Sequence, residues 1–69
     1  MPLTLLRAGQ SSIITRIGGS PETRKFLEGL GFVVGTKITV VSATDGNMIV
    51  SVREARVAVS KSMAQKIFV

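Results

Sequence analysis

The sequence predicts a mostly β fold: a small, strongly bent antiparallel barrel of about five strands with one inserted short α-helix and a C-terminal helical turn. Three observations carry this. Short apolar runs alternate with polar residues at period two, Gly, Asp and Pro punctuate them at short intervals, and only the stretch from Ser20 to Leu30 has the composition of a capped helix. A chain of 69 residues is too short for two full sheets. Closing one bent sheet on itself hides the edges that would otherwise invite aggregation.

Taken in order, Leu3 to Leu6 is a short apolar stretch and Ala8-Gly9-Gln10 a turn. Ser12 to Ile17 has strand composition, with Ile13, Thr15 and Ile17 expected on one face and Ile14 on the other. Gly18-Gly19 breaks the strand. Ser20 is then a good N-cap, Pro21 suits the first helical position, and Glu22 complements the positive end of the helix dipole. The helix is expected to run to about Leu30, with Phe26, Leu27 and Leu30 as a narrow apolar stripe and Gly31 as a left-handed stop.

Three alternating segments follow, and they predict an antiparallel meander. Lys37 to Ser42 places Ile38 and Val40 inward, and Asp45-Gly46 is a hairpin signal. Met48 to Arg53 puts Met48, Val50 and Val52 on one face, and after Glu54-Ala55 the alternation resumes from Arg56 to Ser60. Ser62 to Gln65 fits a capping box for one helical turn, and Ile67 to Val69 is the closing strand. No internal repeat or low-complexity segment interrupts the reading.

Composition bounds the function. The chain is one domain, residues 1–69, because about 60% burial of the unfolded surface leaves no material for a second core. No apolar run approaches the ~18 residues of a membrane span, and no basic region precedes an apolar stretch at the N-terminus, so the protein is expected to be neither inserted nor exported. The absence of Cys and His removes the usual staples of small domains and points to a reducing, cytoplasmic compartment and to possible homo-oligomers. Nine Lys and Arg against four Asp and Glu give a net charge of +5, which favours encounter with acidic surfaces. These cations are scattered, and only three Phe accompany them, so a nucleic-acid partner, the rival reading, is disfavoured against a solvated basic surface.

The side-chain inventory holds no catalytic residues, no metal ligands and no cofactor site. With no His or Cys there is no group that titrates near neutrality and no soft ligand, and Glu22, Glu28, Asp45 and Glu54 read as capping, turn and solubilising residues. Gly18-Gly19-Ser20 before a helix resembles a phosphate cradle only faintly, lacking the Walker lysine and the GxGxxG spacing. Binding surface is what remains. Ile14, Val41 and Ile49 fall on the face opposite the expected core, to be covered by the helix or left as a docking patch, and Phe26 sits beside the only adjacent basic pair, Arg24-Lys25. The expected partner-binding set is Arg24, Lys25, Phe26, Leu30, Ile14 and Ile49.

The spacing of these residues resembles a known family. Leu5-x-x-x-Gly9, Ile14-x-x-Ile17-x-Gly19, Arg24-x-x-Leu27-x-x-Leu30-Gly31-Phe32-x-x-Gly35-Thr36-x-Ile38, Arg53-x-x-Arg56-Val57-Ala58-Val59-x-Lys61 and Met63-Ala64-x-x-Ile67-x-Val69 together resemble the FeoA family over essentially the whole chain. The resemblance implies an SH3-like barrel, similar to the C-terminal domain of metal-dependent repressors. It implies a cytoplasmic accessory factor of bacterial ferrous-iron uptake acting at the cytoplasmic GTPase portion of the FeoB membrane transporter, in contact with the membrane only through that partner and with no iron required on this chain. Two positions depart from the pattern: Gly46-Asn47-Met48 stands where the family often has Gly-Asp-Pro, and Glu54 where a Gly is common. Since Glu tolerates positive φ poorly, a different turn type is expected at Glu54.

Overall fold

A computed structural model describes all residues, 1–69. After a 3-10 turn at Leu3–Leu5 come β1 (Ser11–Ile13), β2 (Arg16–Ile17), α1 (Pro21–Gly29), β3 (Lys37–Ala43), β4 (Asn47–Val52), β5 (Ala55–Ser60), α2 (Lys61–Ala64) and β6 (Ile67–Phe68). The strands form a four-stranded antiparallel sheet in the order β1-β3-β4-β5 and a two-stranded sheet of β2 with β6. The meander is where period two places it. Ile38 faces Val52, Val40 faces Val50 and Met48 faces Val59 across the ladders, and all six are buried.

The expected first strand is divided. β1 pairs with β3, the chain bends at Ile14-Thr15, and β2 joins the other sheet. This reverses the parity read from the sequence: Ile14 is fully buried and Ile13 is 47% exposed. The reason is register. Ser12 lies opposite the inward Ile38, so its neighbours Ser11 and Ile13 point outward and Ile14 points in. Ile14 is therefore removed from the partner-binding set; it is core, held by its N–H donating to Thr36 O and its carbonyl accepting from Gly35 N.

All 13 buried residues are apolar and form one cluster. Phe32 is the largest of the fully buried side chains, contributing about 1.5–3 kcal/mol relative to exposure. Because no polar or charged residue is buried, every group capable of polar recognition lies at the surface.

Each helix gives one buried side chain to the core, Leu27 from α1 and Ala64 from α2. Ser20 caps α1 by accepting from Thr23 N at 3.2 Å, with Pro21 at its first turn. At the other end Gly31 N–H donates to Glu28 O and Phe32 N–H to Leu27 O, a Schellman closure with Gly31 at φ 106°. Of the expected stripe only Leu27 is buried; Phe26 and Leu30 are exposed, so α1 meets the core through a single side chain. α2 begins two residues earlier than the Ser62 capping box: Ser60 is the N-cap, accepting from Met63 N at 3.3 Å.

One strand and one turn differ from expectation in detail. Val41 is an extra residue in β3, a bulge between the Val40–Val50 and Ser42–Ile49 pairs. At the β4–β5 hairpin Arg53 and Glu54 take φ of 50° and 65°, so the turn keeps the left-handed backbone of a tight hairpin despite having no glycine. Pairing of Val52 with Ala55 leaves only these two residues to reverse the chain, and the ladder imposes the conformation that Glu54 disfavours.

Candidate functional site

α1 carries the only adjacent basic pair of the chain, Arg24-Lys25. Successive helical residues turn by about 100°, which sends Pro21, Arg24, Lys25 and Glu28 to one side of α1, Leu27 inward, and Phe26 with Leu30 to the other side. The first group forms one wall of a groove of about 530 Å³ whose other wall is Thr15, then Arg16 and Ile17 of β2, with Val33 and Val34, and to which Phe32 contributes from the core. Gly18-Gly19 makes the groove possible by doubling the chain back between β2 and α1. Gly19 has φ 92°, and a Cβ there would come within 3.1 Å of the Lys66 side chain and 3.3 Å of Thr23.

Three cations, Arg16, Arg24 and Lys25, and one carboxylate, Glu28, line the groove. None of the side-chain hydrogen bonds of the protein engages a charged side chain; they run among hydroxyls, the Gln10 amide and backbone groups. The cations are thus uncommitted. Arg16 is held in place by the Phe68 ring, 4.1 Å from guanidinium carbon to centroid, an interaction worth about 0.5–1 kcal/mol at an exposed position. It leaves the guanidinium N–H groups free to donate.

The expected set is divided among three surfaces. Arg24 and Lys25 share the groove, Phe26 and Leu30 form an apolar pair on the opposite side of the same helix, at 56% and 36% exposure, and Ile49 stands 39% exposed on the outer face of the meander. Ile14 is in the core. Arg16, Ile17 and Val34 were not expected there. The sequence signal that could have found Arg16 is the glycine pair two residues after it, since a tight reversal between a strand and a helix sets Arg16 across from Arg24. No three His, Cys, Asp or Glu side chains gather, and no helix is long and apolar enough to cross a membrane.

The four-stranded antiparallel sheet, the β2–β6 pair and the two short helices around one all-apolar core are the architecture of a small SH3-like barrel domain. The FeoA domain family model matches residues 1–69, and the chain belongs to the FeoA family, small accessory domains associated with ferrous-iron transport. A protein of Methanocaldococcus jannaschii named as an Fe(2+) transport protein A is 26% identical over 68 residues, covering 99% of this chain and 83% of that one. The crystal structure of an iron uptake regulatory protein, FeoA, superposes with a TM-score of 0.91 at 28% identity over 97% of this chain and 91% of that one. The solution structure of FeoA from Chlorobium tepidum gives 0.89 at 26% identity, over 99% and 67%. A manganese-dependent transcriptional repressor matches at 0.92 with 22% identity over 100% of this chain and 40% of that one, a likeness of fold alone.

Proposed function

We propose that this domain is a non-catalytic, cytoplasmic regulatory subunit of ferrous-iron uptake that docks on the cytoplasmic GTPase portion of an FeoB-like transporter through α1 and the surfaces beside it. The observation that carries the reading is the distribution of residues on α1. A nine-residue helix that gives only Leu27 to the core exposes the Phe26–Leu30 pair on one side and directs Arg24 and Lys25 into a groove on the other. Burying an aromatic anchor supplies affinity, whereas cations at the rim supply steering and register. Ile49, on the outer sheet face, extends the apolar surface available to a large partner. Membership of a family associated with Fe(2+) transport supports a transporter as that partner.

The test is retention of the protein by the immobilised cytoplasmic domain of an FeoB-like transporter. Phe26→Asp is expected to abolish retention with an unchanged circular dichroism spectrum, since the side chain is more than half exposed. Wild-type retention of this variant rejects α1 as the docking surface.

A further inference from the structure

β2 is an edge strand in the wall of the groove. It pairs with β6 alone, and Gly18 N–H donates to Lys66 O at 2.6 Å on that side. Hydrogen-bonded and non-bonded pairs alternate along an antiparallel ladder, so Arg16–Phe68 is a bonded pair and Ile17–Ile67, between the two, is a non-bonded one. Ile17 therefore turns its N–H and C=O away from β6, and neither has a backbone partner elsewhere. A strand edge with an unpaired donor and acceptor, beside a cleft, is the arrangement used for strand addition.

Charge identifies what fits. Arg16 stands on one wall and Arg24 and Lys25 on the other, against the single carboxylate of Glu28. Apolar area comes from Ile17, Val33 and the exposed Val34. Side chains of an extended segment alternate between two faces, so one that places carboxylates at every second position and β-branched residues between them satisfies both the cations and the apolar patches. The volume lies within the roughly 300–1,000 Å³ of sites that enclose a drug-sized molecule, room for a few residues of chain.

We infer that the groove between α1 and β2 receives an extended acidic peptide segment, which adds as a strand to the free edge of β2 at Ile17 with its carboxylates between Arg16 and the Arg24-Lys25 pair. The inference deepens the docking reading, on which it rests for the source of such a segment in the transporter, and it assigns that segment to the groove side of α1 and not to the Phe26–Leu30 side.

The probe is an acetylated, amidated eight-residue peptide alternating valine with aspartate or glutamate, titrated into the uniformly 15N-labelled protein. Expected are amide shifts at Thr15 to Gly18 and at Val33-Val34, at least tenfold slower hydrogen exchange at the Ile17 amide, and affinity that falls with salt. Arg24→Glu is expected to weaken binding about tenfold or more. No shift at millimolar peptide overturns the inference. So does equal binding of the lysine counterpart of the peptide, equal binding of a short oligothymidylate, or binding that leaves Ile17 exchange unaltered. Retention by the transporter domain without peptide binding removes the groove and keeps the docking surface. Peptide binding without retention does the reverse.

Discussion

Phe32 donates its backbone N–H to the carbonyl of Leu27 at 3.0 Å, and both side chains are fully buried. These are the C″ and C3 positions of the α1 closure, so one local motif ends the helix and sets its only core contact. Between them Gly31 takes φ 106°, a conformation that costs an L-residue about 1–2 kcal/mol.

The helix that bears the docking residues is therefore attached through one side chain and one turn. Leu27→Ala is expected to cost about 2–5 kcal/mol in urea unfolding, and native-state hydrogen exchange should show the amides of α1 opening ahead of those of β3 and β4. Gly31→Ala should lower stability by about 1–2 kcal/mol through the backbone alone, because a Cβ at that position would meet its nearest neighbour at an ordinary 3.6 Å. An α1 that keeps the exchange protection of the sheet in Leu27→Ala would show that other contacts hold it.

The adjacent isoleucines at the end of β1 offer a sharp comparison. Ile14 is fully buried and Ile13 is 47% exposed on the outer face. Ile14→Ala is expected to cost about 2–5 kcal/mol, and Ile13→Ala to stay within about 0.5 kcal/mol. Equal losses would mean that Ile13 is covered in solution, and a drop in sedimentation coefficient of the Ile13 variant would locate that cover in a second copy.

The contrast between the meander and this strand shows what a sequence of this kind discloses. Ile38/Val40 and Met48/Val50/Val52 recur at period two in runs long enough to set the parity despite the opposite-face Val41 and Ile49, and the inward set is the one period two selects. In Ser12 to Ile17 two isoleucines stand side by side, and the chain changes sheets between them and Ile17. Parity cannot be carried through such a bend. The helix and its Ser20 cap were legible because capping is local; the exposure of Phe26 and Leu30 was not, because the width of the contact depends on how the helix meets the barrel end. The groove is the least legible feature. Arg16 and Arg24 belong to elements whose proximity is created by the reversal at Gly18-Gly19 and by pairing of β2 with a strand 50 residues away, as in the Arg16–Phe68 and Ile17–Ile67 partners.

Cap assignment at α2 separates a pattern from a geometry. Ser62 and Gln65 have capping-box spacing, yet Ser60 accepts the Met63 N–H at 3.3 Å, and Ser62 only adds a hydroxyl contact to Ser60 at 3.1 Å. Ser60→Ala is expected to lower stability by about 1 kcal/mol, and Ser62→Ala by less than about 0.5 kcal/mol. Thermal unfolding of the two variants under one buffer decides it. The reverse order would place the helix start two residues later in solution.

The β4–β5 turn holds strain that substitution can release. Arg53 and Glu54 both lie in the left-handed region, at φ 50° and 65°, where a side chain is disfavoured by about 1–2 kcal/mol relative to the right-handed alternative. Glycine meets no such penalty, although it brings more chain entropy to the unfolded state. Glu54→Gly is therefore expected to raise the urea midpoint, with a net gain of about 0.5–1 kcal/mol, and Glu54→Val to lower it, because a β-branched residue fits positive φ worst. Both variants leave the groove and the Phe26–Leu30 pair intact, so retention by the transporter domain should be unchanged in each. A fall in retention for Glu54→Gly despite higher stability would mean that the turn is itself part of the docked surface, with its strained backbone held in the shape the partner reads.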